Sequence, residues 1–212
     1  VTAVIPAFAE TGVHILCVRG RDTNGNAGPS ECTFLPVFDP AEGFVTGGGW
    51  ITSPAGAYVL NPAMPGKATF GFVSKYKKGA IVPTGETEFQ FKAASLNFHS
   101  DSYDWLVVAG AKAQYKGTGT INGLGVYVFM LTATDGDMAG GGGVDRFRIK
   151  IWDKASDSII YDNQIGTSDT DDPVTAHVTV RNQGTAEAVA TVTSTAVDGS
   201  PECSSIATAS VP

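Results

Sequence analysis

The chain has 212 residues, enough for one large domain or two small ones. Its 21 acidic side chains outnumber 14 basic ones, for a net charge of −7, and no basic stripe exists to neutralise phosphates, which argues against a nucleic-acid partner. No apolar run approaches the ~20 residues needed to span a bilayer, and Val1 opens directly into strand-like sequence, so a mature chain or a fragment is expected.

The first predicted strand covers Val13 to Arg19, and a second covers Glu31 to Val37. Between them Asp22, Asn24, Gly25, Asn26 and Gly28 make a turn. This hairpin brings Cys17 and Cys32 near each other, and a disulfide there suits an oxidising compartment. Cys203 is then left over, free or paired with another chain; the alternative is that all three cysteines are buried thiols. A lone hairpin cannot bury a core.

The stretch "GFVTGGGWI", 43–51, comes next. A phosphate-binding loop needs a following Lys and Ser or Thr at the start of a helix. Here Trp50, Ile51 and Thr52 follow, which suit a strand. The glycines are read as a bulge or a place of close packing, with Trp50 filling the space they leave.

Alternation then dominates. "ETEFQFK", "YDWLVV", "AKAQYKG", "VYVFMLT" and "RFRIKIW" all repeat with period two, the mark of half-buried strands. In "RFRIKIW", Phe147, Ile149 and Ile151 take one face and Arg146, Arg148, Lys150 and Trp152 flank them on the other. Phe147, Ile149 and Ile151 are expected in the core with Trp50, Phe89 and Phe91. No ten-residue window carries a helical period. The acidic "SDTDDP", 168–173, reads as a hydrated linker, and "VTAHVTVRNQGTAEAVATVTSTAV" as two strands around a turn at Asn182, Gln183 and Gly184. The expected fold is all-β: a central antiparallel β-sandwich, jelly-roll-like, over 39–167. Further strands flank it at 1–38 and 168–212.

Gly12, the alternation to Val18 and "RDTNGNAGP" resemble the closing strands of bacterial immunoglobulin-like or hyalin-type repeats. "GFVTGGGWI", "GKATFGFVSKYKKG", "PTGETEFQF", "LNFHSDSYDWLVV", "AKAQYKGTGTING" and "DRFRIKIWD" together resemble the glycine-rich β-module that follows such repeats in secreted bacterial proteins. "VTVRNQGTAEA" resembles the opening of a cell-adhesion-type immunoglobulin-like repeat. These resemblances imply an extracellular or cell-surface, modular and non-catalytic role, and bring no catalytic residues with them.

Candidate sites are few. Asp135 and Asp137 alternate with Gly136, and Asp145 lies across a four-glycine run. A flexible loop of this kind can fold carboxylates around calcium, although the spacing is not that of an EF-hand; the alternative is a solvated hairpin loop. His14, His99 and His177 are widely separated, which disfavours zinc. His99 has Ser100, Asp101, Ser102 and Asp104 nearby, but a catalytic triad is a matter of geometry and no G-x-S-x-G elbow occurs, so a hydrogen-bonded loop histidine is expected. Glu86 and Glu88 share one strand face and are expected to meet solvent, with no second acid placed across a cleft.

Three functions compete. A structural or adhesive module needs saturated strands and no converging chemistry. A carbohydrate-binding module needs a row of exposed aromatics, for which Tyr58, Tyr76, Tyr103, Trp105, Tyr115, Tyr127 and Trp152 are candidates against their use in the core. A hydrolase needs a catalytic set that cannot be assembled. The expected partners are neighbouring β-domains or other copies of the chain, with glycans as the alternative. Because 173–212 and 1–38 read as the two parts of one immunoglobulin-like sandwich, head-to-tail strand complementation into a filament, or one period of a tandem repeat, is a further expectation; the alternative is a trimmed fragment whose ends are partial.

Overall fold

The structure, a computed structural model, describes residues 2–4, 11–38, 43–174, 178–184, 193–195 and 204–210. Three of the described strands precede the central unit: β1 (Thr2–Val4), β2 (Gly12–Arg21) and β3 (Ala27–Val37). Then come β4 (Gly43–Ser53), β5 (Gly66–Lys75) and β6 (Thr84–Phe91). After one 3-10 turn follow β7 (Leu96–Ala109), β8 (Lys112–Ile121) and β9 (Leu124–Thr134). The last are β10 (Arg146–Asp153), β11 (Ile159–Asp162), β12 (Val178–Gly184), β13 (Thr193–Thr195) and β14 (Ser204–Ser210). The fold is all-β.

The centre is one nine-stranded antiparallel sheet in the order β11-β10-β9-β8-β7-β6-β5-β4-β12. From β4 to β11 each strand pairs with the next in the chain. Hairpins therefore replace the crossing connections of a jelly roll. The sheet curls so that its ends face each other across the core, as the layers of the expected sandwich would. Phe70 of β5 stacks on Phe147 of β10 with ring centroids 3.7 Å apart, and Phe89 of β6 meets Tyr161 of β11 at 4.6 Å. These strands are far apart in the sheet order, so the contacts cross the interior. Phe89, Phe91, Phe147, Ile149 and Ile151 are fully buried, as their alternation predicts.

Trp50 departs from expectation. It is 41 % exposed on the outer face, where Lys67 Nζ lies 4.6 Å from its ring centroid. Trp50 pairs across the sheet with Thr69, out of phase with the inward Ile51. Phe72 fills the glycine space instead. A Cβ on Gly47 would come within 2.5 Å of both the Phe72 ring and the Thr179 carbonyl oxygen.

β12 is a second departure. Val178–Gly184 pairs with β4 along its full length, so Asn182, Gln183 and Gly184 lie in a strand of the central sheet and not in a turn of a separate segment. The acidic stretch before it is docked onto the sheet, not a hydrated linker. Asp169 binds Lys150 Nζ at 2.7 Å, and Lys112 Nζ donates to the Thr170 carbonyl at 2.6 Å.

β2 and β3 form a hairpin with Cys17 directly opposite Cys32, and the two are joined by a disulfide. The hairpin base packs on the outer face of the large sheet: Val13, Phe34, Phe38 and Trp152 gather around buried Trp105, Val107 and Met130. This explains why β7 is buried on both faces from Trp105 to Val108. β14 adds to β2, giving the order β14-β2-β3, and β1 pairs with β13. The two end segments thus complete each other within one chain. The pairing that the head-to-tail expectation assigned to a neighbouring copy is made internally, because the chain's own strands are always at hand. Cys203 lies outside the described residues.

Candidate functional site

Strand alternation places Glu86, Glu88 and Gln90 of β6 on the outer face, opposite the inward Thr87, Phe89 and Phe91. On β7 the same logic turns Asn97 and His99 outward beside them. The register pairs Glu88 with His99 and Gln90 with Asn97. His99 Nδ1 contacts Glu88 Oε1, and both side chains are about half exposed. Glu86, two residues away on the same face, completes a group whose ligand-type atoms all lie within 4.8 Å of one another. The hydrogen bond that the imidazolium donates to Glu88 holds the His99 pKa above its ordinary value, opposed by desolvation and reinforced by the charges of Glu88, Asp101 and Glu86. Two carboxylates and an imidazole can share a proton or ligate a divalent ion.

His99 is thus a strand residue and not a loop residue. Ser100, its neighbour, points to the opposite face. It is buried, accepts the Thr87 amide at 2.9 Å and meets the Tyr103 hydroxyl at 3.1 Å. Thr87 Oγ1 in turn touches the Tyr103 and Tyr115 hydroxyls, each at 2.9 Å. Burial pushes both tyrosines upward in pKa. Ser100 is therefore part of a closed hydroxyl network and shares no face with His99.

The acidic loop at 135–145 is not a loose one. A Cβ on Gly136 would lie 2.3 Å from the Val144 nitrogen, and one on Gly141 would lie 2.0 Å from the Asp135 carbonyl oxygen. This tight course carries Asp135 and Asp145 to the free edge of β12. Asp145 accepts Gly136 N at 2.6 Å and Val180 N at 2.7 Å. Asp135 accepts Asp137 N at 3.1 Å and Asn182 N at 3.2 Å. Arg181 reaches both Asp137, at 3.1 Å, and Asp135, at 3.6 Å. The carboxylates expected to gather calcium are thus placed against backbone amides and a guanidinium. Among the described residues, the group whose donor atoms converge is Glu86, Glu88 and His99.

The aromatic candidates for sugar stacking scatter. Tyr103, Trp105 and Tyr115 are buried, and Tyr58, Tyr76 and Tyr127 pack against the core. Trp152 lies under the hairpin with Lys150 near its ring. Trp50 is the aromatic left well exposed among the described residues. A cleft of about 450 Å³ lies between the hairpin and β10, but its charges, Lys150 and Asp169, are committed to each other. The pairing of Glu88 with His99 had a signal in the sequence: outward acids on one strand and an outward His on the next. The register needed to connect them was not readable.

No protein family, curated protein or solved structure matches the chain.

Proposed function

We propose that the chain is a non-catalytic, extracellular β-module of a secreted or surface-anchored bacterial protein, placed among neighbouring β-domains. The observation that carries this reading is the Cys17–Cys32 disulfide across the exposed hairpin, a bond at home in oxidising compartments. The resemblance of the central motifs to a secreted glycine-rich module points the same way. So do the covered edges of the nine-stranded sheet, where Asp145 and Asp135 accept the outer amides of β12 and Tyr58 bridges to β11, an arrangement that blocks edge-to-edge association. No helix among the described residues is long and apolar enough to cross a membrane.

The test is fractionation of the native source followed by non-reducing peptide mapping. The reading expects the chain in the surface or medium fraction with Cys17 and Cys32 linked. A cytosolic chain with both thiols reduced would overturn it.

Glycan binding is the second reading, favoured by the exposed Trp50 ring at one end of an outer-face row that runs across the sheet through Thr69, Gln90 and Asn97. A glycan array that returns a ligand lost in Trp50→Ala would replace the first reading with this one.

A further inference from the structure

We propose that Glu86, Glu88 and His99 form a binding site for a divalent first-row transition ion of the zinc type, on the outer face of β6 and β7.

The geometry comes first. Two residues apart on a strand, Glu86 and Glu88 project to the same side, and His99 sits directly across from Glu88. The donor atoms already lie within 4.8 Å of one another. An ion at ~2.0–2.2 Å from each requires donors about 3–4 Å apart. His99 Nδ1 and Glu88 Oε1 must therefore separate slightly to admit it. Both side chains are about half exposed and have room to rotate. The ion then occupies the position of the proton between them, and that proton is released to solvent.

The chemistry selects the ion. Calcium and magnesium take oxygen ligands, whereas a mixed imidazole and carboxylate set suits zinc and its neighbours. The surroundings attract a cation: Glu86, Glu88 and Asp101 all act on His99, and the chain as a whole carries −7. Charged groups are not crowded from the other side. Glu88 pairs with Gly71 of β5, and Gly71 with Gly48 of β4. A Cβ on Gly71 would meet nothing within 4 Å. A strip without side chains thus leads up to the group, and positions not filled by protein stay open to water.

The site is independent of the extracellular reading and is tested separately. Zinc chloride is titrated into the full chain in a non-chelating buffer, with calorimetry and thermal melting as readouts. One bound ion per chain, a rise in Tm and a shift of the His99 ring signals in the NMR spectrum are expected. Calcium and magnesium should leave those ring signals in place. Glu86→Gln, Glu88→Gln and His99→Gln should each weaken zinc by at least about tenfold. Each variant should keep the metal-free melting temperature near that of the parent, since the side chains are exposed. An absence of binding at about 1 mM zinc, or zinc binding that survives in the Glu88→Gln, His99→Gln double variant, would overturn the proposal.

Discussion

Arg148 sits where alternation predicts solvent, yet only 3 % of its side chain is exposed. It forms a bidentate pair with Asp162, at 3.1 and 2.9 Å, and donates to the Ser168 carbonyl at 2.6 Å. The pair is buried because the acidic stretch after β11 folds back over it. Truncating Arg148 to Ala leaves the Asp162 carboxylate desolvated and should cost about 3–5 kcal/mol in chemical denaturation. A loss below about 1 kcal/mol would show that water reaches Asp162 freely. Ile149, one residue on, faces the core, and Ile149→Ala should cost about 2–5 kcal/mol by the same measurement. The inward residues of "RFRIKIW" were legible because period two is a property of the strand itself. The fate of its outward residues was not, because it depends on a segment some 20 positions away. Trp50 teaches the same lesson. A large ring beside glycines suggests that it fills their space, but only the β4–β5 register shows that Phe72 does so.

The loop between β9 and β10 acts as a clasp between two ends of the curled sheet. β12 is an edge strand, and its outer amides at Val180 and Asn182 would face solvent or another chain. Asp145 and Asp135 accept them instead. At the other edge, β11 is covered by the loop after β4: Tyr58 forms a β-bridge with Tyr161, and Val59 N donates to the Ile160 carbonyl at 3.1 Å. Asp145→Ala removes the acceptor of two backbone amides, each such bond to a charged group being worth about 1.5–3 kcal/mol. Faster hydrogen exchange at Val180, with β5 and β6 unchanged, is the expected outcome. Unchanged exchange at Val180 would mean that the clasp does not hold the edge. The sequence offered this loop as acids among glycines, a pattern shared by cation loops and tight turns. What separates them is a partner strand 35 residues away, which no local pattern records.

At the scale of the molecule, the class and most strands were readable, because hydrophobic periodicity and turn residues are local. The closure was not: β14 on β2 and β12 on β4 join parts of the chain separated by more than a hundred residues. Deleting everything after Gly184 removes β13 and β14 and bares the edge of β2. Concentration-dependent association should follow in light scattering, since an unpaired strand edge seeks a partner. A monomer at all concentrations would show that the β2 edge is protected by other means. The same closure governs the response to pulling. In the β14–β2 pair, Ser210 lies opposite Ile15, and in the β12–β4 pair Gly184 lies opposite Gly43. Tension on the two ends of the chain therefore enters each pair at one end. It peels hydrogen bonds singly, at lower force than shearing a whole ladder at once. The hairpin is the exception, since the Cys17–Cys32 bond withholds the 15 residues of separation between them from the stretched length. In a single-molecule extension trace, adding a reductant should lengthen the fully stretched chain by about 50 Å, at ~3.3–3.6 Å per residue.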